Sequence, residues 1–240
     1  MSGNSGIEWT SATWNPLTGC TLVSEGCRNC YAAREAAGRL SHHPAYAGLA
    51  VKRGGRAVFT GEVRLHEDRL KQPLHWKRPR MIFVNSMSDL FHESVPFDFV
   101  DKVFAVMALA PQHTFQILTK RPERMAAYAN QGPRWKSVLA DLQSAGVNGW
   151  ATNIFGGSQM RHREWLEEHA PAWPLPGVWL GTSVEDQASA DKRIPHVLEA
   201  PAAVRFLSCE PLLGPVEFSD VTKRADAVSQ LGKKALSGID

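Results

Sequence analysis

Three cysteines, Cys20, Cys27 and Cys30, lie within eleven residues near the start of the chain. Thiolates bind zinc and iron–sulfur clusters, and compact CxxC spacing is common in cluster proteins. A structural zinc site takes four protein ligands, but no fourth Cys or His follows these three at ligand spacing. The trio therefore favours a four-iron, four-sulfur (4Fe-4S) cluster in which one iron stays open to a small molecule.

Two other interpretations of the trio stay open. Zinc could recruit a remote fourth ligand, for which His42, His43 and Cys209 are candidates. The three thiols could also be unrelated and free. Cys209 itself lies in an apolar run, which favours a small buried hydrophobic residue over a metal ligand.

Four apolar runs, at 81–89, 113–120, 177–185 and 203–210, each end in polar residues. In parallel α/β sheets and barrels, ligands bind at the carboxyl ends of the strands, so these polar residues are expected to converge on one edge. They are Ser86, Ser88, Asp89, Lys120, Arg121, Ser183, Glu185 and Glu210. Any single one could instead be an ordinary strand exit or helix cap.

The runs alternate with amphipathic segments, which predicts parallel strands joined by crossover helices within one α/β domain over residues 1–240. One helix is expected from Val95 to Ala110, with Asp101 on its polar face. Residues 62–67 suggest a further strand. The segment from about 129 to 176 is rich in Gly, Pro and Trp and is interpreted as an insertion.

Composition narrows the class of protein. The chain has 240 residues, of which 43% are hydrophobic and 21% charged, so a globular fold with a sizeable core is expected. It shows neither a long apolar run nor a signal peptide, which predicts a cytoplasmic protein outside the membrane. The net charge of +3 is compatible with a nucleic-acid partner without requiring one. Residues 64–80 combine basic and aromatic side chains, and Lys77, Arg78 and Arg80 are candidate phosphate contacts.

Several sequence blocks together resemble a known family. They are IEWTSATWNPLTGCTLVSEGCRNCYA, FVNSMSDLFHESVP, ILTKRPERM, VWLGTSVED and RFLSCEPLLGP. They resemble the phage family named after gene products 37 and 68, also called the three-Cys-motif family, whose members look like distant relatives of radical S-adenosylmethionine enzymes. The resemblance implies a partial, TIM-like (β/α) barrel with an N-terminal cysteine loop that carries a 4Fe-4S cluster and could bind S-adenosylmethionine.

The sequence departs from the radical S-adenosylmethionine signature in two ways. First, six residues separate Cys20 from Cys27, where the signature has three. Second, the residue before the last cysteine is Asn29 and not an aromatic residue, and an aromatic residue, Tyr31, follows that cysteine instead. Relatives also continue beyond the ALSGID position into another strand, so the C-terminal units of the barrel are expected to be missing or to come from a protein partner.

Position at the predicted edge suggests roles for the remaining residues. Ser86, Ser88, Asp89 and Ser183 are candidates to hold S-adenosylmethionine, and Lys120, Glu185 and Glu210 are candidate catalytic groups. The function expected is an iron–sulfur enzyme that modifies or repairs a nucleic acid or nucleotide. The alternatives are a non-catalytic, zinc- or cluster-stabilised protein that binds nucleic acid or another protein, and an inactive truncated relative.

Overall fold

A computed structural model describes residues 6–135 and 172–219. Its centre is a sheet of five parallel strands, which lie side by side in their order along the chain. The strands are β1 (Ala12–Trp14), β6 (Met81–Val84), β7 (Thr114–Thr119), β8 (Val178–Ser183) and β9 (Val204–Ser208). The structure confirms the parallel α/β sheet expected from the alternating runs.

In the described ranges, helices lie on the connections between the strands from β6 to β9: α2 (Phe97–Ala108), α3 (Pro122–Ala129) and α4 (Gln187–Glu199). Successive strands from β6 to β9 are neighbours in the sheet, so each crossover steps in the same direction. Right-handed crossovers that step one way place their helices on one face. β1 and β9 form the two edges of the described sheet, so closure into the expected TIM-like barrel is not shown.

The main core lies between the sheet and helices α2 and α3. Strand residues Ile82, Val84, Ile117 and Leu180 alternate toward this face and are almost fully buried. Burial of such aliphatic side chains contributes about 1.5–3 kcal/mol each. This core holds the strand ends in fixed positions.

One prediction about α2 is wrong. Asp101 was expected on the polar face of the helix but is only 3% exposed. The Tyr128 hydroxyl donates to its Oδ1 at 2.9 Å, and Arg134 lies 3.1 Å from its Oδ2. These partners compensate a carboxylate that hydrophobic periodicity alone assigns to solvent.

Between β1 and β6 the chain builds a smaller layer. It contains β2 (Leu17–Thr18), helix α1 (Tyr31–Ala37), and a hairpin of β3 (Ala50–Arg53) and β4 (Arg56–Phe59). Short 3-10 helices occur at Glu25–Cys27, Glu67–Arg69 and Gln72–His75. The strand expected at 62–67 is reduced to β5 (Arg64–Leu65), which pairs antiparallel with β2 outside the main sheet.

Two expectations fall largely outside the described residues. The insertion expected at about 129–176 lies mostly in 136–171, and the ALSGID position, beyond which further units were expected in relatives, also lies outside the described ranges. Among the helices in the described ranges, none is both long and apolar enough to span a bilayer.

Candidate functional site

The five parallel strands end side by side at Trp14, Val84, Thr119, Ser183 and Ser208. We call this side of the sheet the carboxyl edge, and residues 19–30, which contain the three cysteines, the cysteine loop. The loop begins at the edge, since Gly19 forms a parallel bridge with Ser88. The strand ends therefore lie side by side, and the cysteine loop starts next to them.

Glu185 fixes the cysteine loop to the end of β8. Its carboxylate is 1% exposed and accepts hydrogen bonds from Ser24 Oγ at 2.8 Å and from the Gly26 amide at 3.3 Å. It also pairs with the Lys120 ammonium, and Arg193 Nη1 lies 3.4 Å away. We call these five residues the Glu185 cluster.

The charges and hydrogen bonds of the Glu185 cluster keep the Glu185 carboxyl ionised. Burial alone would raise the pKa of the Glu185 carboxyl, but the hydrogen bonds from Lys120 and Ser24 and the charges of Lys120 and Arg193 outweigh burial and lower the pKa. The fit around the carboxylate is tight, because a Cβ on Gly26 would lie 2.4 Å from Glu185 Cδ. Only glycine fits at this position without a shift of the carboxylate.

A second ionic group, centred on the buried guanidinium of Arg121, holds the start of the loop. Arg121 donates to Asp89 Oδ2 at 3.0 Å, to both Glu93 oxygens at 2.9 and 3.0 Å, and to Thr21 Oγ1 at 2.5 Å. Its Nη1 also lies 3.8 Å from Cys20 Sγ. These contacts place a positive charge beside the first cysteine.

The Cys20 thiol ionises less readily than the thiol of a free surface cysteine. Burial raises its pKa to about 12, and the charge of Asp89 acts in the same direction, whereas Arg121 opposes both. Cys20 and Cys27 are close enough for the charge of Cys27 to raise the pKa of Cys20 further. The metal-free thiol of Cys20 is therefore protonated near neutral pH.

His92 is a neighbour of this group that the sequence analysis did not identify. Its Nδ1 accepts a hydrogen bond from the Ser94 amide at 3.1 Å, so the proton lies on Nε2, which donates to Thr21 Oγ1 at 3.0 Å. Burial and then the charge of Arg121 lower the pKa of His92. A neutral imidazole thus supports Thr21, one residue from Cys20.

The predicted cofactor-binding residues after β6 make structural contacts. Asp89 Oδ1 accepts from Thr119 Oγ1 at 2.7 Å, and Asp89 Oδ2 accepts from the Lys120 amide at 3.1 Å. Ser88 Oγ donates to the Leu17 carbonyl at 2.8 Å. Ser86 exchanges hydrogen bonds with the side chain of Asn15, at 3.1 and 3.2 Å. These contacts join the ends of β1, β6 and β7.

The predicted site residues at the ends of β8 and β9, Ser183 and Glu210, differ in burial and in contacts. Ser183 is buried, and its carbonyl accepts from Arg193 Nη1 at 2.8 Å. Glu210 is exposed and has no ion pair within the described ranges. The loop after Glu210 is nevertheless attached to the site, because the amides of Leu213 and Gly214 donate to the Glu185 carbonyl at 2.6 and 3.3 Å. The catalytic role of Glu210 stays a prediction.

The three thiols of the cysteine loop are free and half-buried. Cys27 Sγ is 4.0 Å from Ser24 Oγ, and Cys30 packs against a small cluster that contains Ala32 and Met87. Within the described ranges, no group of three or more His, Cys, Asp or Glu side chains is placed to hold one metal ion. Cys209 is exposed after β9, so its assignment to a buried position was wrong.

The predicted nucleic-acid residues lie away from this site. Lys77 and Arg78 are exposed in the segment that leads into β6, and the guanidinium of Arg80 lies over the Trp76 ring at 5.1 Å from its centroid. They precede Met81, the first residue of β6, and so lie at the opposite edge of the sheet.

Sequence reasoning found the strand ends but missed several of their partners. Arg193 carries a usable signal, because it shares the apolar stripe of α4 with Ala190, Ile194 and Val197. A charged residue on an apolar stripe predicts a buried ionic partner. Ser24 carries no comparable signal, since a serine in a loop has many ordinary explanations.

A family model described as a protein of unknown function, DUF5131, matches residues 4–234. No curated protein and no solved structure matched the chain. The match covers nearly the whole chain, whereas the comparisons support neither the gene product 37 and 68 name nor a relation to radical S-adenosylmethionine enzymes. That relation stays a prediction.

Proposed function

The chain belongs to the DUF5131 family, whose activity is unknown, and we propose that its cysteine loop binds an iron–sulfur cluster at the carboxyl edge of the sheet. The observation that carries the proposal is the attachment of the loop to this edge by Glu185 and Arg121. Parallel α/β sheets bind ligands at the carboxyl ends of their strands. A thiol-rich loop fixed at that position suits a reactive centre better than a remote structural metal.

The chemistry of the donor set suits a cluster better than a single ion. A zinc ion needs four ligands around one point, and no such group occurs among the described side chains. In an iron–sulfur cluster each thiolate binds its own iron, so Cys20, Cys27 and Cys30 need not meet at one atom. Arg121 would stabilise the thiolate that iron requires at Cys20, because its charge lies 3.8 Å from the sulfur.

A bound cluster supplies one-electron transfer, and an open iron supplies a position for a small molecule such as S-adenosylmethionine. The protein's own ionic residues are engaged in holding the loop. Lys120 pairs with Glu185, and Arg121 pairs with Asp89 and Glu93. We therefore propose that these residues position the loop, and that a nucleotide or nucleic-acid substrate approaches from the solvent side of the carboxyl edge.

Anaerobic reconstitution tests the cluster. The metal-free protein is incubated with ferrous iron and sulfide, desalted, and analysed for bound iron, bound sulfide, zinc and absorbance near 400 nm. We expect Cys27→Ser to lose most of the bound iron, whereas Cys209→Ser, which alters an exposed thiol outside the loop, keeps it. Zinc without iron, or equal losses in the two variants, would contradict the proposal.

A second measurement tests S-adenosylmethionine use separately. The reconstituted protein is reduced and incubated with S-adenosylmethionine, and 5′-deoxyadenosine is quantified by mass spectrometry. Formation of 5′-deoxyadenosine that requires the three cysteines supports a radical S-adenosylmethionine enzyme. A stable cluster without this product would retain the iron–sulfur assignment and reject that cofactor.

A further inference from the structure

An exposed basic hairpin projects from the layer that packs beside the cysteine loop. We use the name basic hairpin for residues 50–59, which comprise β3, β4 and the turn residues Gly54 and Gly55. Both glycines have positive φ, 53° and 75°, as a tight two-residue turn requires. Lys52, Arg53 and Arg56 are all exposed near this turn.

The charges on the hairpin oppose one another. Arg53 and Arg56 are paired directly across the two strands, and like charges in that position destabilise a hairpin. Across residues 6–135 and 172–219, neither arginine nor Lys52 forms an ion pair. Arg39 and Lys192, which are also exposed, pair with carboxylates. The hairpin therefore keeps an unfavourable concentration of positive charge that an anionic partner would relieve.

The base of the basic hairpin is tied to the cysteine loop. Ala50 and Phe59 pack against the same small hydrophobic cluster as Cys30. Just beyond the hairpin, a Cβ on Gly61 would be 3.4 Å from the Thr21 methyl group. Four residues of strand span about 13 Å, so the basic tip is held within a short reach of the loop.

We propose that the basic hairpin binds the phosphate backbone of a nucleic acid. Arginine guanidinium groups form paired hydrogen bonds with phosphate oxygens, and two glycines at the tip allow a backbone to approach closely. A membrane-binding hairpin would carry large apolar residues at its tip, whereas this turn has none. The surface is separate from Lys77, Arg78 and Arg80, and the proposal does not depend on a cluster in the cysteine loop.

Fluorescence anisotropy with labelled 20-nucleotide probes tests this inference, using single-stranded DNA, duplex DNA and single-stranded RNA between 50 and 200 mM NaCl. The test variant is Lys52→Ala/Arg53→Ala/Arg56→Ala, which leaves the turn glycines in place. The control variant, Arg39→Ala/Lys102→Ala/Lys192→Ala, removes the same total charge from residues that pair with carboxylates. Far-UV circular dichroism checks that both variants are folded.

We expect the test variant to bind about 10- to 100-fold more weakly than the parent, and the control to lose less than about 3-fold. The slope of log K against log salt should fall in magnitude by about 2–3 for duplex DNA, because each lost phosphate contact removes about 0.9. Comparison of the three probes shows which nucleic acid the protein prefers. Cys27→Ser should bind like the parent, which separates this inference from the proposed cluster.

Three results would overturn the inference. The parent could fail to bind all three probes, or the test and control variants could lose affinity and salt dependence equally. In the third result, the parent binds vesicles of phosphatidylglycerol, the test variant does not bind them, and neither protein binds any nucleic-acid probe. That result would assign the hairpin to an anionic membrane surface instead.

Discussion

Replacement of Glu185 by alanine tests the attachment of the cysteine loop most directly. The substitution removes the carboxylate that receives Ser24, Gly26, Lys120 and Arg193. Breaking a buried ion pair by removing one partner costs about 3–5 kcal/mol, because the remaining charge stays buried without compensation. Lys120 retains 19% exposure and can turn toward water, whereas Arg193 is 5% exposed and cannot. We therefore expect a loss of about 3 kcal/mol in the free energy of unfolding.

Urea denaturation of the metal-free protein, followed by circular dichroism, measures this loss. The matched control is Glu123→Ala, which removes a partly exposed carboxylate 3.7 Å from Lys192 and 4.0 Å from His196. An exposed pair contributes about 0–1 kcal/mol, so the control should change little. Equal effects of the two substitutions would refute the assignment of Glu185 as the anchor of the loop.

The pH dependence gives an independent check. The folded protein lowers the pKa of Glu185 below its ordinary value of 4.5, so unfolding is accompanied by proton uptake in acid. The stabilising contribution is therefore complete above about pH 4.5 and is lost as the pH falls through the folded-state pKa. The difference in stability between the parent and Glu185→Ala should be largest near neutral pH and should shrink on acidification. A difference that grows in acid would contradict this reasoning.

Two further predictions concern the cysteine loop. Gly26→Ala should reduce the free energy of unfolding, measured by urea denaturation, by about 1–3 kcal/mol, because the new Cβ would lie 2.4 Å from Glu185 Cδ. The control Gly6→Ala should change little, since a Cβ at Gly6 would have nothing within 4 Å. Equal effects of the two substitutions would contradict the close contact at Gly26. In metal-free protein at pH 8, Cys20 should react with iodoacetamide at least about 100-fold more slowly than exposed Cys209, because the pKa of Cys20 is raised to about 12. Peptide mass spectrometry measures both rates, and similar rates would contradict the raised pKa of Cys20.

The sheet was predictable because its strands are short apolar runs separated by turn and helix signals. The helix expected from Val95 to Ala110 extends from Phe97 to Ala108, and it was predictable because its apolar residues share one helical face. The sequence did not reveal that Asp101 is buried, since its partner Tyr128 lies on another helix. Periodicity reports the average polarity of a face and does not show which polar residue acquires a distant partner.

The location of the site was predictable, but its internal pairing was not. Cysteine spacing and polar strand ends indicated the carboxyl edge. The bond from Ser24 to Glu185, however, joins residues 161 positions apart, and that from Lys120 to Glu185 spans 65. No local pattern encodes such pairs. As a result, the sequence suggests Lys120 and Glu185 as two catalytic candidates but does not indicate that they form one ion pair.

The cysteine loop is held by protein contacts in a way that small metal-folded domains are not. Zinc fingers lose their structure without metal because ligand bonds supply most of their folding energy. Here Ser24, Gly26 and Thr21 are already bound to buried charged groups of the sheet edge. A triple Cys→Ser variant of the loop should therefore keep its far-UV circular dichroism, and trypsin should cleave it at Arg28 no faster than it cleaves the parent. Rapid cleavage at Arg28 in that variant alone would show that the thiols, and not the two ionic groups, hold the loop.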